Sequence, residues 1–222
     1  MNILLTGASH GLGQKILTMA TVQGHRVFDL PGEAILTGYS SISAHLAALP
    51  EIPDAIINNY GTNSLSWIGE TPEEDEKIIT ANLLGPYWVV NHAKCIWNKP
   101  MRVVNVASQT YRVPQTCTAL YCASKAGLVQ MTKVMARELG PLGWVVNAVS
   151  PGKIEDTRMA LLTDAQVVEL RGWGEVEATE YALSLIPARR FTNREEVASL
   201  ILDVLKMPDY VNGSVIEIHG GI

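Results

Sequence analysis

Tyr121 and Lys125 stand four residues apart in Tyr121-Cys122-Ala123-Ser124-Lys125. That spacing puts a phenol and an ammonium on one face of a helix. A lysine cation beside a tyrosine favours the phenolate and draws its pKa down from about 10, which makes the phenol a proton donor or acceptor. The pair alone is a common surface pattern. It gains meaning from Ser108, thirteen residues earlier, at the end of the apolar run RVVNVA over residues 102–107. Open α/β sheets bind ligands at the carboxyl ends of their strands.

A second candidate site lies near the amino end, in Thr6-Gly7-Ala8-Ser9-His10-Gly11-Leu12-Gly13. Gly7 permits a tight turn, Gly11 lets a pyrophosphate approach a helix N-terminus, and Gly13 lets helix and strand pack closely. Asp29 ends the next strand-like run, sixteen residues after Gly13. A carboxylate there accepts hydrogen bonds from both hydroxyls of an adenine ribose and repels a 2′-phosphate. No lysine or arginine follows it immediately, so the pattern favours NAD over NADP. His10, when protonated, is the nearby group that opposes this preference, and NADP stays possible.

These residues need a scaffold, and the chain alternates strand-length apolar runs with helix-period segments from end to end. Strands are predicted at Asn2–Thr6, Arg26–Leu30, 54–59, 102–107, 144–149 and 214–218, with a weaker one at 34–37. Helices are predicted at 12–23, at 40–49 and over Ala119–Leu139. Another opens at Thr71-Pro72-Glu73-Glu74 and runs through 77–82, past Gly85-Pro86, to residue 97. A capping box is read at Thr163…Gln166, and a last helix begins at Thr192…Glu195. Strict alternation without repeat or linker predicts one doubly wound, Rossmann-type α/β domain over residues 1–222, with a parallel sheet and helices on both faces.

Composition narrows the function classes. The chain has 222 residues, 47% hydrophobic and 18% charged, enough for a large core. Its formal net charge of −5 gives no footprint for nucleic acid or an anionic membrane. No uncharged run reaches the 18 or so apolar residues of a spanning helix. The opening MNILLTGAS lacks a basic n-region, so no secretory signal is expected and the location is read as cytoplasmic. Cys95, Cys117 and Cys122 form no C-x-x-C pair and read as reduced, mostly packed thiols. The five histidines show no ligand spacing, so no metal is expected.

Taken in order, the motifs resemble the short-chain dehydrogenase/reductase family in its single-domain form, over essentially the whole chain. They are TGxxxGxG (Thr6 to Gly13), N-N-x-G (Asn58 to Gly61), Ala81-Asn82-Leu83, N-x-x-S (Asn105 to Ser108), Y-x-x-x-K, Pro151-Gly152, and the tail RFTNREEVASLILDVL…NGSVIEIHGG. The resemblance implies hydride transfer between a nicotinamide cofactor and a small-molecule secondary alcohol or ketone. Tyr121 would be the acid/base, and Lys125 would lower its pKa and hydrogen-bond the nicotinamide ribose. Ser108 would polarise the substrate oxygen, and Asn82 would hold a water linking Lys125 to a proton relay. Gly7, Ser9, Gly11, Leu12 and Gly13 would hold the diphosphate and adenosine half of the cofactor. Asn59, Gly61, Pro151, Gly152 and Ile154 would line the rest of the groove, with Thr157 at the nicotinamide amide. The resemblance also implies a homodimer or homotetramer built on the long helix, and a substrate lid at about 155–190 that includes Trp173.

Four departures from the family pattern stand out. Tyr60 occupies a position where a methyl side chain is usual, and either packs inward or narrows the groove. Only residues 31–33 separate the second and third predicted strands, too few for a parallel crossover, so either the chain crosses extended or 34–37 is not a paired strand. Thr37-Gly38 stands where the family has an acidic residue. Asp156 stands where the family threonine is expected, so Thr157 needs a one-residue bulge to reach the cofactor. The pocket wall is expected to include Gln109, Tyr111, Val113, Trp67 and Met159. Two other readings stay open: a dinucleotide-binding redox sensor without chemistry, and a pteridine-type reductase of the same fold.

Overall fold

Six short runs rich in Ile, Val and Leu form the strands β1 (Asn2–Thr6), β2 (Arg26–Leu30), β3 (Ala55–Asn58), β4 (Arg102–Val106), β5 (Val145–Pro151) and β6 (Val215–Ile218). The computed structural model describes residues 1–70 and 74–222. All strand pairs are parallel, in the order β2-β1-β3-β4-β5-β6. The chain leaves β1 toward β2 on one side and reaches β3 on the other. This reversal opens a crevice at the carboxyl ends of β1 and β3, where such sheets hold ligands. Strands β3 and β5 are buried along their whole length, as continuous apolar runs covered on both faces must be.

One face is covered by α1 (Gly11–Val22) and α9 (Arg194–Val204). Leu12, Ile16 and Ala20 of α1 meet Val197, Ala198 and Ile201 of α9 over Leu5 and Ile57, at the three- and four-residue spacing of a helix stripe. The other face carries α3 (Tyr39–Ala47), α5 (Gly85–Ile96) and α6 (Ala119–Leu139). There Ile42, Leu46, Val89 and Val90 pack with Trp144 and Met135.

Residues 34–37 are not a strand. They lie in a short helix, α2 (Gly32–Thr37), entered through Pro31 at φ −59° and carrying Glu33 in its first turn. Three linking residues cannot cross over to a parallel neighbour, and the chain resolves this by coiling at once. Strand β2 is therefore the last strand on its side of the sheet. Ile35 of α2 is buried against Gly85, where an added Cβ would stand 2.5 Å from Ile35 Cγ2.

Two helix starts also differ from expectation. Thr163 and Gln166 lie inside α7 (Arg158–Arg171), which is capped by Thr157 through its hydroxyl. Helix α9 is capped by the box Asn193/Glu196, one residue beyond Thr192/Glu195. In both cases the hydroxyl or amide nearest the first helical N–H groups takes the cap. The predicted start at Thr71-Pro72-Glu73 lies outside the described residues. Beyond it, α4 (Asp75–Ile79) continues into α5 through a π-helical turn over Thr80–Leu84. Cys95 is exposed and Cys117 and Cys122 are half-buried, all three free thiols rather than mostly packed ones.

Helix α3 is pinned to α5 by buried His92, whose ring nitrogens lie 3.2 Å from Tyr39 Oη and 3.3 Å from Ser43 Oγ. Burial lowers the pKa of His92 below its ordinary 6.5. The unfolded chain then binds the proton more readily than the folded one, so this residue's contribution to stability falls as pH drops below 6.5. The melting temperature is expected to decline from pH 6.5 to 5, and His92→Gln, which keeps hydrogen-bonding groups, should decline less over that range. Equal declines would assign the acid sensitivity elsewhere.

Candidate active site

The loops after β1 and β3 are sewn together before any ligand is considered. Thr6 Oγ1 accepts hydrogen bonds from the amides of Asn59 and Tyr60, both at 2.9 Å. Asn59 Nδ2 donates to the carbonyls of Thr6 and Gly7 at 3.0 and 3.2 Å. Gly13 is packed so closely beneath this loop that a Cβ there would stand 1.9 Å from the Gly7 carbonyl oxygen. Gly11, at φ +58°, has among the described residues only Thr157 within 4.0 Å of where its Cβ would be. His10 is the N-cap of α1, and no side chain caps the helix. The first-turn amides of a 12-residue helix thus face a cradle of anion-binding form.

Asp29 is exposed at the end of β2, and its Oδ1 accepts from the amide of Ala8 at 2.9 Å. Ser9 Oγ lies 3.1 Å from His10 Nδ1. Neither Asp29 nor Ser9 is among the described residues lining the central groove, of about 450 Å³. Gly7, Gly11, Leu12, Gly13, Asn59 and Gly61 line it from one side. From the other come Pro151, Gly152, Ile154 and Thr157. Asp156 adopts φ +55°, a left-handed residue that supplies the extra step and brings Thr157 to the groove.

Ser108, Tyr121 and Lys125 meet where this groove reaches the end of β4. Ser108 caps a short 3-10 turn, Gln109–Tyr111, accepting from the amide of Thr110 at 3.3 Å. Tyr121 and Lys125 project from the same face of α6, each at least nine-tenths buried. Lys125 Nζ donates to the Val106 carbonyl at 2.8 Å and lies 5.7 Å from the centroid of the Tyr121 ring. Burial pushes the Tyr121 phenol above its ordinary pKa, opposed by a hydrogen bond with Ser108, and pushes Lys125 down to about 8. The expectation that Lys125 draws the tyrosine downward is thus reversed. Both groups are out of water, and desolvation disfavours the charged form of each.

Asn82 sits on the π-helical turn, a feature frequent at functional sites. Its Nδ2 donates to the Thr62 carbonyl at 2.9 Å and to Ser124 Oγ at 3.2 Å, and its Oδ1 accepts from the Thr62 amide at 2.9 Å. Ser124 Oγ in turn donates to the Tyr121 carbonyl at 2.7 Å. Asn82 therefore ties the β3 loop to the helix that carries Tyr121 and Lys125. Gly61 lies between the two groups, since a Cβ on it would stand 2.7 Å from Asn82 Oδ1 and 3.6 Å from Lys125 Nζ.

Two of the five residues expected in the substrate wall line the groove. Gln109 and Met159 line the groove, whereas Trp67, Tyr111 and Val113 do not, and Tyr111 Oη instead donates to Glu217 at 2.9 Å. Asn63, Gln115, Arg158, Leu162 and Thr163 take part in the lining and were not anticipated. Leu162 and Thr163 follow Met159 on the same helix face, a periodic signal readable once α7 is known to begin at Arg158. Helices α7 and α8 (Glu175–Ser184) bury no residue fully. Gln166 Oε1 accepts from the Leu65 amide at 3.3 Å, and Trp173 packs edge-on to Tyr181 at 5.0 Å. Among the described residues no group of His, Cys, Asp and Glu could hold a metal, and no helix is long and apolar enough to cross a membrane.

Residues 39–222 match the family model described as enoyl-(acyl carrier protein) reductase. The chain is 28% identical over 231 aligned positions to the 3-oxoacyl-[acyl-carrier-protein] reductase FabG of Aquifex aeolicus, covering 99% of this chain and 86% of that protein. It is 35% identical over 173 positions to the corresponding reductase of Thermotoga maritima, covering 76% of this chain and 65% of that one. Among solved structures, a point variant of actinorhodin polyketide ketoreductase with NADPH superposes with a TM-score of 0.88 at 25% identity, covering 99% of this chain and 95% of that one. The ligand-free aldohexose dehydrogenase of Thermoplasma acidophilum shares the fold, with a TM-score of 0.85 at 22% identity and coverage of 99% and 92%. With the six-stranded sheet and these matches together, the chain belongs to the short-chain dehydrogenase/reductase family and is an oxidoreductase of that family.

Proposed function

We propose that the protein reduces a ketone or related carbonyl to a secondary alcohol with a nicotinamide cofactor, preferring NADH. The observation that carries this reading is the meeting of Ser108, Tyr121 and Lys125 at the end of a groove whose other end is a glycine cradle. The cradle suits a dinucleotide because Gly11 leaves the uncapped amides of α1 open to an anion while Gly13 could carry no side chain. Gly7, Gly11, Leu12 and Gly13 would hold the diphosphate, with Ser9 and Asp29 at the adenosine. Asn59, Gly61, Pro151, Gly152, Ile154 and Thr157 would bound the nicotinamide half. When bound, that group supplies the hydride to the carbonyl carbon.

The protein's own part is to position and to move a proton. Ser108 Oγ donates to the carbonyl oxygen and polarises it, and Tyr121 Oη delivers the proton as negative charge develops there. The raised pKa of Tyr121 keeps it protonated at neutral pH, as reduction requires. The Lys125 ammonium, buried and held by the Val106 carbonyl, stabilises the tyrosinate left behind. Asn82 acts as a positioning residue through Thr62 and Ser124. Met159, Leu162 and Thr163, which line the groove from α7, support a lid role for that helix over the substrate.

The preference for NADH rests on Asp29, whose carboxylate is fixed beside the glycine loop by the Ala8 amide. A 2′-phosphate would meet that charge at short range. Side-by-side titrations are expected to give tighter binding of NADH than of NADPH in the wild type. Asp29→Ala should weaken NADH about tenfold and leave NADPH equal or tighter. An unchanged ratio would remove Asp29 from cofactor selection.

A further inference from the structure

We infer that Tyr60 forms the wall against which the adenine end of the dinucleotide rests, at the edge where the sheet stops at β2. This deepens the cofactor reading above and rests on it.

The Tyr60 amide is fixed over the end of β1 by Thr6 Oγ1, so the side chain has a defined origin. Its ring lies across the loops that follow β1 and β2. A Cβ on Gly32 would stand 2.0 Å from Cε2 and 2.4 Å from Cζ of the ring, and one on Gly7 would stand 3.0 Å from Cδ2. Asp29, one residue before the end of β2, lies three residues before Gly32, and its Oδ1 accepts from the amide of Ala8, the residue after Gly7. The ring therefore packs on the same two loops that carry the carboxylate assigned to the adenine ribose. It is half-buried, packed on the cluster of Leu30, Ala34 and Ile35, and it also lines the groove with Gly7 and Gly11. Burial raises its phenol pKa, so the ring stays neutral across the working range.

A purine is a flat apolar ring that must leave water, and aromatic side chains take such rings on their faces or edges. At this end of the sheet β2 is the outermost strand and α2 is a single short helix. Tyr60 is the large aromatic surface that reaches the groove there. Gly32 is the matching half of the arrangement, because any side chain on it would displace the ring.

A ring that only fills space between two glycines would contribute to stability and to nothing else, and binding measurements separate the two roles. NADH, ADP-ribose and reduced nicotinamide mononucleotide are to be titrated into the wild type, Tyr60→Ala, Tyr60→Phe, Gly32→Ala and the Tyr60→Ala/Gly32→Ala double variant, with melting temperatures recorded. Tyr60→Ala is expected to weaken NADH and ADP-ribose about tenfold and to leave the mononucleotide unchanged, since only the first two carry adenine. Tyr60→Phe should bind like the wild type. Gly32→Ala should reproduce the adenine-specific loss, and the double variant should lose no more than Tyr60→Ala alone, because both changes remove the same contact. Equal affinity for ADP-ribose in wild type and Tyr60→Ala would overturn the assignment while leaving the cofactor reading intact. Tighter binding by Tyr60→Ala would overturn it too, by making the ring an obstruction. A wild type that binds neither NADH nor ADP-ribose would bring down both.

Discussion

Tyr121→Phe is expected to lower kcat for carbonyl reduction by about 10²- to 10⁴-fold, the range that general acid catalysis contributes. Dinucleotide affinity should change less than about threefold. The substitution removes one oxygen from a side chain that is 9% exposed. The ring keeps its place on α6, and the lost hydroxyl is the group hydrogen-bonded to Ser108. The dissociation constant of NADH, measured by nicotinamide fluorescence, checks that the groove is intact, and single-turnover reduction measures the chemical step. If both fell together, Tyr121 would be a binding residue. If neither fell, the proton would come from elsewhere; a wild type that binds the dinucleotide without reducing any carbonyl would instead make a redox sensor the better description. That reading requires nothing of Ser108, Tyr121 or Lys125, whereas proton transfer requires all three in contact.

What could be read from the sequence, and what could not, divides along a physical line. Strands β1, β3, β4 and β5 were legible because a strand buried on both faces is a continuous apolar run, and the helices packed on them because a stripe at three- and four-residue spacing has few other uses. The glycines at 7, 11 and 13 fall together at one end of the groove, and Ser108 and Tyr121, thirteen residues apart, meet at the other. Residues 34–37 misled because a short apolar run has no period of its own. Whether it is strand or helix is decided by the length of the preceding link, which in this chain forbids the strand. The cap of α7 misled because Thr163…Gln166 has capping-box spacing, yet Thr157 lies nearer the true first turn. Ionisation was the least legible property. Spacing puts Lys125 near Tyr121, but only the fold shows that both are dry, and desolvation then sets the direction of each pKa.

That same burial gives Lys125→Met an outcome with two halves of opposite sign. The ammonium is 4% exposed, donates to one carbonyl, and has its pKa lowered from 10.5 to about 8. A folded-state pKa below the unfolded value means that the unfolded chain binds the proton more tightly. The resulting penalty is fully present below pH 8 and fades as pH rises from about 8 to 10.5. Its size at neutral pH is about 3 kcal/mol. Methionine has nearly the same length and no charge, so Lys125→Met removes the penalty and leaves the Val106 carbonyl unpaired, at a cost of about 1 to 3 kcal/mol. The variant is expected to melt at or above the wild-type temperature at pH 7, with the difference shrinking toward pH 10. Turnover should move the other way, with kcat falling by about 10²-fold or more, because nothing then offsets the charge left on Tyr121 after proton donation. In the wild type, kcat/KM for reduction should decline as pH rises through about 8, where free Lys125 loses its proton. In the variant that limb should be absent. A variant that melts well below the wild type would make Lys125 a structural residue. A wild-type limb that survives in Lys125→Met would place the titrating group elsewhere in the groove. If both halves are found, Lys125 is a buried charge that costs stability and is held in the fold for the reaction.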